Sequence, residues 1–267
     1  MLGQDYPNLE YIVIDGGSSD GSQEIIRQYE DRLAFWCSEP DGGHYEGVNK
    51  GFARSSGEIM AWLNADDMYC PWALRTAAAV MTALPDVEWI TTLNPLTWTC
   101  GGFCRSLNRI PGYSKASFLD GCYIPNGGVH LGWIQQESTF WRRSLWQRSG
   151  GMVRTDYRLA GDFDLWARFY DFAELHGINC PLGGFRSQPK QRSRNLGEYL
   201  REAELSLEQA RHRNGWKPAG LGFRAARKVP VLRRWALRRP LNVCRTVMPV
   251  DEYAIECGWR IEDVEFR

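Results

Sequence analysis

No apolar run in this chain reaches the roughly 18 residues that a membrane-spanning helix needs, so nothing in it spans a bilayer by itself. The eight cysteines include no CxxC pair. Cys100 and Cys104 stand close together, but no His or second close Cys pair completes a zinc pattern, and reduced thiols are expected. The start, Met1 to Glu10, has neither a basic n-region nor an apolar h-region, so no signal peptide is expected and the cytosol is the default compartment. Internal repeats and low-complexity tracts are also lacking. Finally, no acidic residue falls between Glu208 and Asp251, a stretch that holds Arg211, Arg224, Lys228, Arg234, Arg239 and other basic residues. Such a segment favours an anionic surface.

What is present is an ordinary balance for a soluble protein, 43% hydrophobic and 24% charged residues, in a chain long enough to bury a substantial core. Its zero net charge hides an asymmetry: residues 1–92 carry 15 acidic and 5 basic side chains, and the excess basic charge lies beyond them. The most informative stretch is Asn64-Ala65-Asp66-Asp67, which follows the apolar run Ile59 to Leu63. Two adjacent carboxylates at a strand's end repel each other unless water or a cation offsets the repulsion. Hard oxygen ligands suit Mg²⁺ or Mn²⁺, which take one or two carboxylates plus phosphate oxygens. A solvated turn before Pro71 is the alternative on these residues alone.

Tyr11 to Ile14 reads as a strand covered on both faces, ending at Asp15 and a Gly-Ser turn; a helix capped by Asp20 should follow. Leu33–Cys37 and Ile59–Leu63 read as strands, Tyr45–Ala53 as a helix, Pro71 to Ala83 as a helix, and Trp89–Thr92 as a further strand. This alternation predicts an α/β fold with a mostly parallel sheet, with ligands beyond the carboxyl ends of its strands, where Asp15 and Asp66 fall. Asn94 to Trp133 reads as a partly structured covering loop region. Asp162–Phe172 and Leu196–Arg213 read as helices, the first with Asp162 in its opening turn.

The motifs Gln4-Asp5-Tyr6-Pro7-Asn8, Val13 to Ser22, Glu39-Pro40-Asp41-Gly42-Gly43, Asn49-Lys50-Gly51, Gly57-Glu58-Ile59 and Leu63 to Asp67 resemble, in order and spacing, those of family 2 glycosyltransferases of the GT-A fold. Gln135 to Phe140 with Arg142-Arg143, and Gly161 to Leu165, are similar to that family's acceptor-side motifs. The resemblance covers about residues 3–172. It implies inverting transfer of a sugar from a nucleoside diphosphate donor to a hydroxyl acceptor, with a bound divalent cation, in polysaccharide or glycolipid synthesis. By the same resemblance Asp15, Asp41, Lys50 and Asp66 contact the donor, Asp66 and Asp67 share metal and ribose contacts, and Asn64 stands where many members have the motif's first aspartate. Gln135, Gln136 and Glu137 are implied on the acceptor side, and Asp162 as the general base. Asp164 is the nearest rival, but two residues along a helix it points elsewhere. His130 reads as an acceptor or phosphate contact or as a solvated loop residue, and Trp133, Trp141 and Trp166 as core or as sugar-stacking platforms.

The implied organisation is a GT-A catalytic domain over residues 1–195 and a helical, basic extension over residues 196–267, the latter a candidate for peripheral contact with an anionic membrane. Nucleic-acid binding lacks a recognition module. Family members carry a first strand about two dozen residues before the equivalent of Gln4. The expectation is therefore an upstream start codon or a fragment. A catalytically silent nucleotide- or carbohydrate-binding remnant is the main alternative function; a nucleotidyltransferase is disfavoured by the lack of a Gly-rich phosphate loop.

Overall fold

In the computed structural model, which describes residues 1–125, 129–189, 191–192, 195–218, 242–250 and 258–266, the apolar residues Ile12, Val13 and Ile14, closed by Asp15, form strand β1 (Ile12–Asp15). It pairs in parallel with β2 (Phe35–Ser38), with Asp15 opposite Ser38. Between them lies α1 (Ser22–Arg27), opened by an Asp20 carboxylate that accepts the Ser22 N–H. Helix α2 (His44–Arg54) follows and packs against β1.

The next elements are β3 (Ile59–Met60), β4 (Met68–Tyr69), α3 (Ala73–Ala83), β5 (Trp89–Thr92), β6 (Leu96–Trp98), β7 (Cys104–Leu107) and α4 (Lys115–Leu119). They are followed by β8 (Phe140–Arg142), α5 (Arg143–Arg148), α6 (Gly161–Phe169), β9 (His176–Ile178), β10 (Gly183–Arg186), α7 (Leu196–Arg213), β11 (Asn242–Pro249) and β12 (Trp259–Phe266). The central sheet has the order β12-β11-β9-β5-β8-β3, and a second sheet has the order β4-β10-β6-β7.

Side chains alternate across the central sheet as the strand's two-residue period requires. Trp89 and Trp141 face the core that includes Leu165, Trp166 and Phe169 of α6, whereas Ile90 and Phe140 face the core built with Ala77, Val80 and Met81 of α3. All four strand residues are fully buried, so the sheet is covered on both sides. The indoles of Trp89 and Trp166 stack with centroids 5.7 Å apart, and Trp141 meets Trp166 edge-on at the same separation.

Three expectations are corrected. The central sheet is mixed: β9 runs parallel to β5 and β11, but β8 is antiparallel to both β5 and β3, inserted between them. The Asn94–Trp133 region holds two strands and a helix, because Leu96–Trp98 pairs with both β7 and β10. The tail is not helical throughout: α7 is a helix, but Asn242–Pro249 and Trp259–Phe266 form an antiparallel hairpin that joins the central sheet through β9. Cys244 and Phe266 of that hairpin enter the main core. The densest basic stretch, residues 219–241, lies outside the described residues.

Candidate active site

Asp15 ends β1 and is held by its own turn. Ser18 donates to it through both its N–H and its hydroxyl, and Ser38 Oγ donates from the end of β2. Burial works against the charged form, but these hydrogen bonds hold the carboxyl below its usual range. Asp41 lies just beyond, accepting the Gly43 N–H at 3.0 Å. A Cβ at Gly16 or Gly47 would come within 3.2 Å of Asp41 Oδ2, so both glycines leave room for this carboxylate between the end of β1 and α2. Lys50 turns toward Glu39 and Glu46, at 3.1 and 3.8 Å, and its hydrogen bond to Glu39 raises its pKa.

The turn after β3 separates the two adjacent aspartates by role. Asp67 is buried, and each of its oxygens is taken: Oδ1 accepts the Arg186 N–H at 2.9 Å and Oδ2 accepts Asn64 Nδ2 at 3.0 Å. Asp66 is less buried and, among the described residues, accepts a single side-chain bond, from Gln191 Nε2 at 3.2 Å. Asn64 Nδ2 also donates to Gln136 Oε1, while Gln136 Nε2 donates to the Trp62 carbonyl. Gln136 therefore spans the turn from behind. Gln135 Nε2 donates to the Leu96 carbonyl, and Glu137 is buried with Oε1 unpaired. Burial, then the charge of Asp67, drives the Glu137 carboxyl well up, and Asp162 and Asp66 push the same way. Burial likewise raises Asp67.

Asp162 opens α6, half-buried, with Oδ1 accepting the Phe163 N–H at 2.8 Å. Burial pushes its pKa up to about 6 against that bond, assisted by the charge of Glu202. Two residues hold the segment before it. Tyr45 donates its phenol to the Leu159 carbonyl and accepts the Gly161 N–H, and the Glu202 carboxylate of α7 accepts three successive N–H groups, from Arg158, Leu159 and Ala160, at 2.8–2.9 Å. Asp164 is committed elsewhere: it is buried, pairs with Arg168 at 2.9 Å and accepts Ser206 Oγ.

His44 links the two halves. Burial and the nearby Arg192 hold its pKa down to about 4, opposed by the charges of Asp66 and Asp41. Beside it, Tyr45 feels the charges of Asp162 and Arg192, and Arg192 donates to the Arg158 carbonyl. A cavity of about 480 Å³ opens here, lined by Gly43, His44, Tyr45, Leu159, Arg192 and Asn195 among others. Neither Asp66 nor Asp162 lines it. Trp141 and Trp166 are core; Trp133 and His130 are exposed, 5.3 Å apart in an edge-on contact.

Sequence reasoning missed His44, Tyr45, Arg192 and Glu202. The Gly42-Gly43 pair ahead of a helix was a usable signal for the first two. Nothing local distinguishes Glu202 from the other acidic residues of a mixed-charge helix.

Residues 1–92 match the model of glycosyl transferase family 2. An uncharacterized glycosyltransferase of Mycobacterium tuberculosis is 29% identical over 180 residues, 66% of this chain. The chain spans 63% of that relative's length. Glycosyltransferase AglE of Haloferax volcanii is 40% identical over 71 residues, 25% of this chain and 23% of its own. Among solved structures, Staphylococcus aureus TarS 1–349 in complex with UDP-GlcNAc superposes with a TM-score of 0.55 at 15% identity, over 77% of this chain and 60% of that one. A further crystal structure of TarS 1–349 gives 0.52 at 16% identity, over 77% of this chain and 58% of that one. At that identity the likeness concerns the fold, which is GT-A, and the match to glycosyl transferase family 2 rests on residues 1–92.

Proposed function

We propose that the protein transfers a sugar from a nucleoside diphosphate donor to a hydroxyl acceptor, with inversion, Asp162 acting as the base. The observation that carries this reading is the half-buried Asp162 carboxyl, with a pKa of about 6, held on a turn whose hydrogen-bond partner Tyr45 is the chain neighbour of His44 beside Asp41 and Asp66. A sugar hydroxyl is a feeble nucleophile, and a positioned carboxylate with a pKa near working pH accepts its proton as the new bond forms. Inversion follows from a single displacement in which the acceptor oxygen attacks opposite the departing diphosphate.

On the donor side, Asp15 and Asp41 line the end of β1, where a nucleoside would lie beyond the strand's carboxyl end. Lys50 stands beside them. Asp66 and the unpaired Asn64 Oδ1 supply the hard oxygens that Mg²⁺ or Mn²⁺ takes. Among the described residues no group of three or more His, Cys, Asp or Glu side chains is placed to hold a metal ion. Such a cation, when bound, would stabilise charge on the leaving diphosphate. Asp67 fixes the turn against β10 and so positions Asp66. Gln136 acts from behind the turn as a positioning residue, its amide spent on the Trp62 carbonyl and on Asn64, whereas Gln135, with Nε2 on the Leu96 carbonyl and Oε1 without a hydrogen-bond partner among the described residues, stays on the acceptor side.

The test is to incubate the chain with UDP- and GDP-sugars plus Mn²⁺ and measure transfer to candidate glycan acceptors together with release of nucleoside diphosphate. Asp162→Asn should abolish both, and nucleotide binding without any turnover in the unaltered chain would favour the silent remnant. No helix among the described residues is long and apolar enough to cross a membrane. The basic stretch supports a peripheral contact with anionic lipid, and the full chain with the arginines and lysines of residues 219–241 replaced by glutamine, if it still sedimented with such vesicles, would remove that reading.

A further inference from the structure

We propose that Trp133 is an acceptor platform: its exposed indole stacks on the apolar face of the sugar ring whose hydroxyl is presented to Asp162. The inference rests on the transferase reading above. Trp133 is 37% exposed, whereas its neighbour Ile134 is buried and the indoles of Trp141 and Trp166 are sealed in the core. Exposure alone is unremarkable for one apolar residue. What sets Trp133 apart is how its backbone and ring are fixed, and what they are fixed against.

Its carbonyl accepts a hydrogen bond from the buried Tyr113 hydroxyl, which also reaches the Thr92 carbonyl at the end of β5. Gly132 precedes it with φ +127°, and a side chain there would run into Ile110. The chain direction entering Trp133 is thus set by the core, while the ring is left outside. On that outside the indole meets two further rings edge-on, His130 at 5.3 Å and Tyr199 at 5.5 Å. Tyr199 lies on α7 one turn before Glu202, whose carboxylate accepts the Leu159 and Ala160 N–H groups just ahead of Asp162. One aromatic ring therefore separates the exposed indole from the surroundings of the base.

A flat, braced, apolar surface beside a carboxylate matches a pyranose, which offers C–H bonds on one face and hydroxyls at its edge. Aromatic side chains supply large contact area at little conformational cost. The nucleoside is the other flat ligand in this reaction, but the residues assigned to it, Asp15 and Asp41, lie at the end of β1 and the start of α2, with His44 beside Asp41.

Saturation-transfer NMR on the full chain tests this, with the methyl glycosides of glucose, galactose, mannose and N-acetylglucosamine as probes in the presence of UDP or GDP and Mn²⁺. The expected result is transfer to ring protons of at least one glycoside, reduced about tenfold in affinity by Trp133→Ala and less by Trp133→Phe, with nucleotide signals unchanged. Equal melting temperatures for the two variants and the parent exclude loss of fold as the cause. Glycoside signals that survive Trp133→Ala, nucleotide signals that fall instead, or nucleotide binding without any glycoside signal would each overturn the proposal. Absence of nucleotide binding as well would overturn the transferase reading with it.

Discussion

The phenol of Tyr45 donates to the Leu159 carbonyl at 2.8 Å and accepts the Gly161 N–H at 3.0 Å, so the first turn of α2 fixes the backbone that delivers Asp162. The residues proposed for the donor and for the base are thereby mechanically joined. Tyr45→Phe leaves a buried N–H and a carbonyl without partners, which costs about 1–3 kcal/mol in urea unfolding. It should also lower kcat while leaving the affinity for nucleoside diphosphate within about twofold, because only the Asp162 turn is loosened; a matching loss of nucleotide affinity would contradict this division.

Gly161 lies against that same ring. A Cβ there would stand 2.7 Å from Tyr45 Cε2 and 2.9 Å from Val153 Cγ1. Since both neighbours are held in the core, Gly161→Ala should destabilise the protein by roughly 1–3 kcal/mol and reduce turnover at least as much as Tyr45→Phe. Thermal unfolding of the two variants side by side reads the comparison.

Asp162→Asn should reduce turnover by roughly 10²–10⁴-fold with nucleotide affinity retained. In the unaltered protein kcat should fall as pH drops through about 6, where Asp162 takes up its proton. Stability carries the opposite sign. The folded-state pKa of about 6 lies above the ordinary 3.8, so the contribution is fully present below about 3.8 and is lost as pH rises through about 6. Asp162→Asn, which cannot ionise, should therefore melt above the parent at pH 8 and converge with it near pH 4. Calorimetry across that range decides.

The two adjacent aspartates should respond differently. Asp66→Asn should remove the Mn²⁺-dependent part of nucleotide binding with little change in melting temperature. Asp67→Ala strips the Arg186 N–H and Asn64 amide of their acceptor, and its main effect should be a lower melting temperature. Thermal-shift titrations with nucleoside diphosphate, with and without Mn²⁺, separate the outcomes. Equal behaviour of the two variants would mean that both ligate the cation.

Much of the fold was legible in the order of residues because its signals are local. The apolar runs Ile12–Ile14 and Trp89–Thr92 appear as strands β1 and β5, the 3.6-residue stripes as α2, α3, α6 and α7, and Asp15 and Asp162 stand at element ends where a carboxylate has unpaired N–H groups nearby. Pairing was not legible. Phe140–Arg142 carries nothing in its three residues to say that it inserts antiparallel between β5 and β3, and the tail's β11 shows its partner β9 only once the chain has folded back across some seventy residues.

The division follows from the range of the forces involved. Helix caps, turn glycines and hydrophobic periods are set within a few residues, so the sequence by itself determined the α/β character, the likeness to family 2 glycosyltransferases and the identity of the acids at the strand and helix ends. Tertiary structure alone decided which of those acids is left available. Asp67 and Asp164 are consumed by Arg186, Asn64, Arg168 and Ser206, and Glu202 and Tyr45 are recruited from distant helices to hold the turn before Asp162. A carboxylate's role depends on burial and on partners that approach through space, and neither is written beside it in the chain.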